Sequence, residues 1–208
     1  VWLFHLAFAV LCVVVLLAAR DRPGPAILGL TLGYNIGLPW VCSITGDRDS
    51  LALWRFLLPL SVFMVLPDAF LAAHLGVLEF PDTGSPYLGP VPLFMAGLWV
   101  IPLFLTVKAG ERRGAAGAAL AALVIFTAAE ATLWAVPVWH ARDVAQIGHV
   151  AVYLLVPETI LGVSTWLAWR ASRYSGPAVQ ALSAAAVMVL YLGNCALFWF
   201  VLESPGGL

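Results

Sequence analysis

A chain of 208 residues that is 62% hydrophobic and only 10% charged stands far from soluble domains, which are about 25% charged. Its mean hydropathy of +0.98 excludes an ordinary soluble domain and points to a polytopic membrane protein. The net charge of −1 leaves no basic surface for nucleic acid. Cys12, Cys42 and Cys195 sit in apolar runs without CxxC or Cys/His spacing and read as buried, inert thiols.

A run of about 17–25 apolar residues is long enough to cross a bilayer as a helix. Seven such runs follow in order: 2–19, 26–46, 51–75, 90–107, 115–138, 150–169 and 177–202. The expected fold is therefore all-α, a seven-transmembrane-helix bundle forming a single domain over residues 1–208. The first run has no basic segment before it and no small-residue cleavage site after it, so it reads as a span rather than a signal peptide. Between the third and fourth runs lies the most polar loop, with Glu79, Asp82, Gly84, Tyr87 and Gly89. A second polar loop, 140–149, separates the fifth run from the sixth. Both loops fall on the face opposite the N-terminus. The N-terminal side carries Arg48, Arg55, Lys108, Arg112, Arg113, Arg170 and Arg173, against Arg20, Arg22 and Arg142 on the other. Because Lys and Arg favour the cytoplasmic side, the expectation is an integral, multi-pass protein with a cytoplasmic N-terminus. Prolines in or near the runs, Pro59, Pro67, Pro102 and Pro157 among them, fit either kinked helices around a cavity or prolines tolerated in a membrane helix.

Ionisable residues within a span are expensive and mark a functional site by default. Here they are Glu130 and Glu158, with Asp68 near the end of the third run. Asn35 and Asn194 are their uncharged companions. At about 1.5 Å of rise per residue, Asn35, Glu130, Glu158 and Asn194 all come out roughly 13–15 Å below the loop-side ends of their helices. Asp68 lies one or two turns below its loop. Aromatic residues accompany them: Trp134 is four residues after Glu130, Tyr191 three before Asn194, and Tyr34 adjoins Asn35. Tyr153 and Trp99 fall near the same depth. An acid walled by aromatic rings keeps its proton, because removal from water disfavours the charged form, and the negative ring faces stabilise a cation. The competing reading is that acids and amides bind helices to one another.

Several chemistries are missing from the sequence. The seventh run has no lysine, which excludes a retinal Schiff base. No DDxxD or NSE-type carboxylate clusters are present for magnesium-assisted ionisation of a prenyl diphosphate. HExxH, GxSxG and phosphate-loop motifs are absent too, and the four histidines do not cluster at ligand spacing. No metal or cofactor is implied.

The stretch from Asp68 resembles the repeated unit of the integral-membrane lycopene cyclases and the related meroterpenoid and drimane-type membrane terpene cyclases. In that unit an acid ends one helix, a Gly-aromatic-x-Phe turn and a glycine-containing loop follow, and Pro-x-Glu-Glu opens the next helix. Asp68 corresponds to the acid, Gly76-Val77-Leu78-Glu79-Phe80 to the turn, Gly84 and Gly89 to the loop, and Pro92 to the proline. Leu93-Phe94-Met95 stand where the acids would be. A divergent second copy has its turn at 134–139, Gly148 for Gly89, and Pro157-Glu158-Thr159 for the last motif. The resemblance implies a membrane terpene cyclase acting on a prenylated, diphosphate-free chain drawn from the bilayer. Glu158 or Glu130 would protonate the substrate. Asp68 or the other glutamate would take up the final proton. Trp99, Trp134, Tyr153 and Tyr191 would steady the carbocation, and Tyr34, Asn35 and Asn194 would complete the pocket. The alternative is a non-enzymatic lipid- or carotenoid-binding protein, or a small transporter. Substrate identity and oligomeric state are open at this level.

Overall fold

The computed structural model describes residues 1–203. Helices dominate. α1 spans Trp2–Ala18 and α2 Pro23–Thr45, with a proline in the first turn of α2 and left-handed Gly46 just past its end. Asp47 then caps α3 (Arg48–Phe63), its side chain accepting from the Ser50 amide at 3.0 Å. α4 (Val65–Phe70) prolongs α3, and the seam between them falls where Pro67 has no amide hydrogen to offer. A wide π turn, Leu71–Leu75, ends the segment against left-handed Gly76.

After the loop come α5 (Met95–Leu98) and α6 (Val100–Ala131). Gly114 breaks α6, with φ 69° and ψ −162°, a conformation that glycine alone enters freely. The chain reverses there. Trp99 and Phe126 bring their ring centroids to 5.6 Å, so 100–113 and 115–131 are two antiparallel arms. α7 (Leu155–Ser172) packs against both: an added Cβ at Gly162 would strike Ala122 of the second arm and come within 2.8 Å of Thr106 Cγ2 of the first. Small residues allow that close approach where helices have no water to exclude. α8 (Pro177–Glu203) closes the bundle against α7 and α3.

Five helices are long and apolar enough to cross a membrane, with Met95–Ala131 taken as one and α1 somewhat shorter. Leu3, Ile36, Val124 and Leu182 are among the large apolar residues exposed on outer faces, as a lipid-facing surface requires.

Three expected boundaries are corrected. The run 115–138 is helical only to Ala131; beyond it the Leu133 amide turns to the Glu130 carbonyl, turns and bends follow, and Pro137 has no amide hydrogen with which to resume the helix. The run 90–107 begins as a strand, becomes helix at Met95 and continues to the reversal at Gly114. The run 150–169 likewise starts as a strand and a 3-10 turn before α7.

The loops fold into three small ladders. β1 (Leu78–Glu79) pairs with β4 (His140–Ala141), β2 (Tyr87–Leu88) with β3 (Val91–Pro92), and β5 (Gln146–Ile147) with β6 (Val150–Ala151). The last two are hairpins turning on Gly89 and Gly148, both at positive φ. Gly24 meets the first loop so closely that a Cβ would collide with Thr83, and its amide donates to the Thr83 carbonyl at 3.1 Å.

These ladders expose an internal repeat. Asp68 lies ten residues before Leu78, and Glu130 ten before His140. Trp99 lies ten residues after Gly89, and Glu158 ten after Gly148. The pairing Leu78 with Ala141 and Glu79 with His140 is unchanged when the equivalent residues are exchanged, so the β1–β4 ladder lies on a local two-fold. The alignment expected from sequence is thereby shifted. Pro92 corresponds to Ala151, each sitting three residues past its hairpin glycine, and the residue matching Glu158 is Trp99 rather than one of Leu93, Phe94 and Met95.

Candidate active site

The four repeat-related residues meet. Asp68, Trp99, Glu130 and Glu158 all line one cavity of about 290 Å³, enclosed by α4, both arms of α6, α7 and α8. Its walls are otherwise apolar, with Met95, Ile101, Phe126 and Leu154 prominent. Leu78, Phe80 and Trp139 close it from the side of the β1–β4 ladder. That ladder is fastened outside by Glu79, whose Oε2 lies 3.3 Å from His140 Nε2 and 3.7 Å from Arg142 Nη1.

The three acids are all buried but held differently. Asp68 Oδ2 accepts from the Trp99 indole at 3.2 Å. Glu130 Oε2 accepts from the Ala151 amide at 2.9 Å, which ties the second arm of α6 to the second hairpin. Glu158 makes no hydrogen bond among the described residues and faces the cavity from the first turn of α7. Its carboxyl group is thus the one of the three left free to meet whatever occupies the cavity. Trp99 connects the aromatic wall, its ring 5.6 Å from Phe126 and 5.9 Å from Tyr191 by centroid. Tyr191 lines the cavity from α8.

Other residues expected here lie elsewhere. Trp134 is 73% exposed, because the helix that would have aligned it with Glu130 ends at Ala131. Trp139, at the far end of the same turns, supplies the wall instead. Asn35 is helix glue: it donates to the Thr31 and Gly97 carbonyls and accepts from the Trp54 indole. Asn194 returns to the Leu190 carbonyl of its own helix at 2.7 Å. Tyr34 is fully buried between α1 and α2, its hydroxyl 3.0 Å from His5 Nε2. Tyr153 is buried but does not line the cavity, and neither does Phe94 at the matching place in the first hairpin unit. The depth coincidence thus joined two kinds of polar residue, cavity acids and interhelical amides. Phe126 was missed although it stands one turn before Glu130 on the same face, a spacing that could have singled it out. Among the described residues, no group of three or more His, Cys, Asp or Glu is placed to hold a metal ion.

Residues 65–202 match the family described as a domain of unknown function, DUF6989. The chain belongs to that family. The matched span begins at α4 and contains every cavity-lining residue, from Asp68 to Tyr191, while α1, α2 and α3 precede it. No curated protein and no solved structure matches the chain.

Proposed function

We propose that the chain is a membrane-embedded terpene cyclase that starts its reaction by protonating an alkene or epoxide of a prenyl chain. The observation that carries this reading is the meeting of three carboxyl groups and several aromatic residues, Trp99 and Tyr191 among them, on one apolar cavity. With the two arms of α6 counted separately and α1 included, the helices make seven crossings. The N-terminus then faces the cytoplasm, and the ladders face the other side. The cavity volume falls near the low end of ligand pockets, about 300–1,000 Å³, which suits one prenyl segment better than a whole carotenoid.

Glu158 is the proton donor in this reading, since it lines the cavity with no hydrogen bond holding it among the described residues, whereas Asp68 and Glu130 are each tethered. For an alkene, its O–H bond breaks as a C–H bond forms, and the alkene π electrons supply the new bond. The cation left behind is attacked by a second double bond, which closes a ring. Loss of a neighbouring proton to a carboxylate, Glu158 itself or Asp68, restores an alkene, so product and substrate are isomers. Trp99 and Tyr191 flank the path of the charge and stabilise it electrostatically. Glu130 holds the second hairpin in place through the Ala151 amide.

Glu158→Gln keeps the shape and removes the acid. Turnover of a prenylated substrate by the detergent-solubilised chain should fall about a hundredfold or more, with unchanged size-exclusion and thermal-unfolding profiles. Near-normal turnover would dismiss Glu158 as the donor. Binding of unchanged ligand with no cyclised product would favour the non-enzymatic reading, which the tethering of Asp68 and Glu130 also fits.

A further inference from the structure

A second concavity, of about 380 Å³, runs between the two arms of α6 on the outside of the bundle. Leu105, Lys108, Ala109 and Arg112 of the first arm face Gly117, Leu120, Ala121 and Val124 of the second, each set recurring at helical spacing. Its floor is apolar, and Leu120 and Val124 are more than half exposed, so it opens sideways to the lipid. Its outer end, beside the Gly114 reversal, is basic: Lys108, Arg112 and Arg113 all line it. Lys108 is engaged by Glu111 at 3.0 Å. Arg112 and Arg113 form no ion pair among the described residues, and the Arg112 guanidinium is held 4.8 Å from the Trp2 ring at the groove mouth. Its inner end shares Leu105 and Ile125 with the acid-lined cavity.

We propose that this groove receives the anionic head of the substrate, a prenyl chain bearing a diphosphate, and leads its tail between the arms to Glu158. The proposal rests on the cyclase reading and specifies its substrate class. Apolar floor, basic mouth and a border shared with the cavity at Leu105 and Ile125 together fit an amphiphile with one charged end. A guanidinium fork matches phosphate oxygens in pairs. From Arg112 to Ile101 the first arm rises roughly 16 Å, a distance that a prenyl chain of a few isoprene units covers. Protonation at the far end of the chain leaves the diphosphate intact, so the head acts as an anchor rather than a leaving group. A head of this charge departs from the diphosphate-free substrates that the sequence resemblance implies. Two unpaired arginines at the mouth of the groove favour it.

The test compares binding of farnesyl diphosphate and farnesol to the full chain in phosphatidylcholine nanodiscs, each corrected for uptake by empty discs. The diphosphate should bind about tenfold or more tightly than the alcohol. Arg112→Gln with Arg113→Gln should erase that preference and leave farnesol binding unchanged, whereas the paired lysine variants should retain most of it. Equal binding of the two probes, or a preference that survives in the glutamine variant, would overturn the proposal. So would a preference abolished by adding phosphatidylglycerol to the discs, which would make the groove a phospholipid headgroup site. Glu158→Gln should keep the preference. A loss of turnover without a loss of preference separates the fate of the cyclase reading from that of the groove.

Discussion

Trp99 holds in the first repeat unit the place that Glu158 holds in the second, and this exchange of an indole for an acid makes the cavity unsymmetrical. One unit presents a carboxyl group bonded to an indole, Asp68 with Trp99; the other presents two carboxyl groups, Glu130 and Glu158. In the proposed reaction, charge generated beside Glu158 would therefore form opposite an aromatic wall. Trp99 can act through its ring face or through its hydrogen bond, and two substitutions separate these. Trp99→Phe keeps a ring but leaves the buried Asp68 without its donor, with an expected loss of about 1–3 kcal/mol of stability. If the ring face matters most, its turnover should stay within about tenfold of the parent, and Trp99→Leu should fall well below it. Equal losses in the two variants would assign Trp99 to holding Asp68. Thermal unfolding and product formation in detergent measure both effects.

At the scale of elements, the fold depends on a few glycines that let segments touch or turn. Gly162 is the sharpest case, since α7 can lie against both arms of α6 only where it carries no side chain. Gly162→Leu should cost roughly 1–3 kcal/mol by forcing α7 outward, seen as a lower unfolding temperature. Gly193→Ala, inside α8 with nothing within 4 Å of the new Cβ, should hold or raise that temperature. An equal response would mean that the α6–α7 contact does not limit stability. The helices were legible in the sequence because long apolar runs ended by Arg and Asp have few other solutions in a membrane protein. The cavity acids were legible because a carboxyl group within such a run needs a reason. The short elements were not. A two-residue strand has no periodicity to read, and Ala131 is followed by residues as apolar as those before it, so Trp134 was placed on a helix that had already ended. The repeat register was hidden for a similar reason. It follows hairpin glycines and backbone pairing, which set Pro92 and Ala151 at equivalent places and leave Pro157 further along its own unit.

For the whole molecule the decisive question is how often the chain crosses the bilayer, because this sets which solution each end of the cavity meets. If the two arms that meet at Gly114 are separate crossings, as proposed above, the ladders and the basic mouth of the groove face opposite sides. Asp143 sits in the loop beside β4 with its side chain 85% exposed, and Ser175 sits between α7 and α8 on the other side. Cys42 and Cys195 are buried and Cys12 lies within α1, so new surface thiols will dominate labelling by a membrane-impermeant reagent. Asp143→Cys should be labelled in intact cells, and Ser175→Cys only after permeabilisation. The reverse pattern would keep the crossings and invert the protein, placing the basic mouth of the groove outside and the ladders in the cytoplasm. Labelling of both from one side would break the seven-crossing count and seat the α6 hairpin within one leaflet. The cytoplasmic leaflet is where the first pattern puts Lys108, Arg112 and Arg113. Under the substrate proposed above, a prenyl diphosphate enters the groove there without crossing the membrane, its charged head staying in the interface while only its apolar tail moves inward to Glu158.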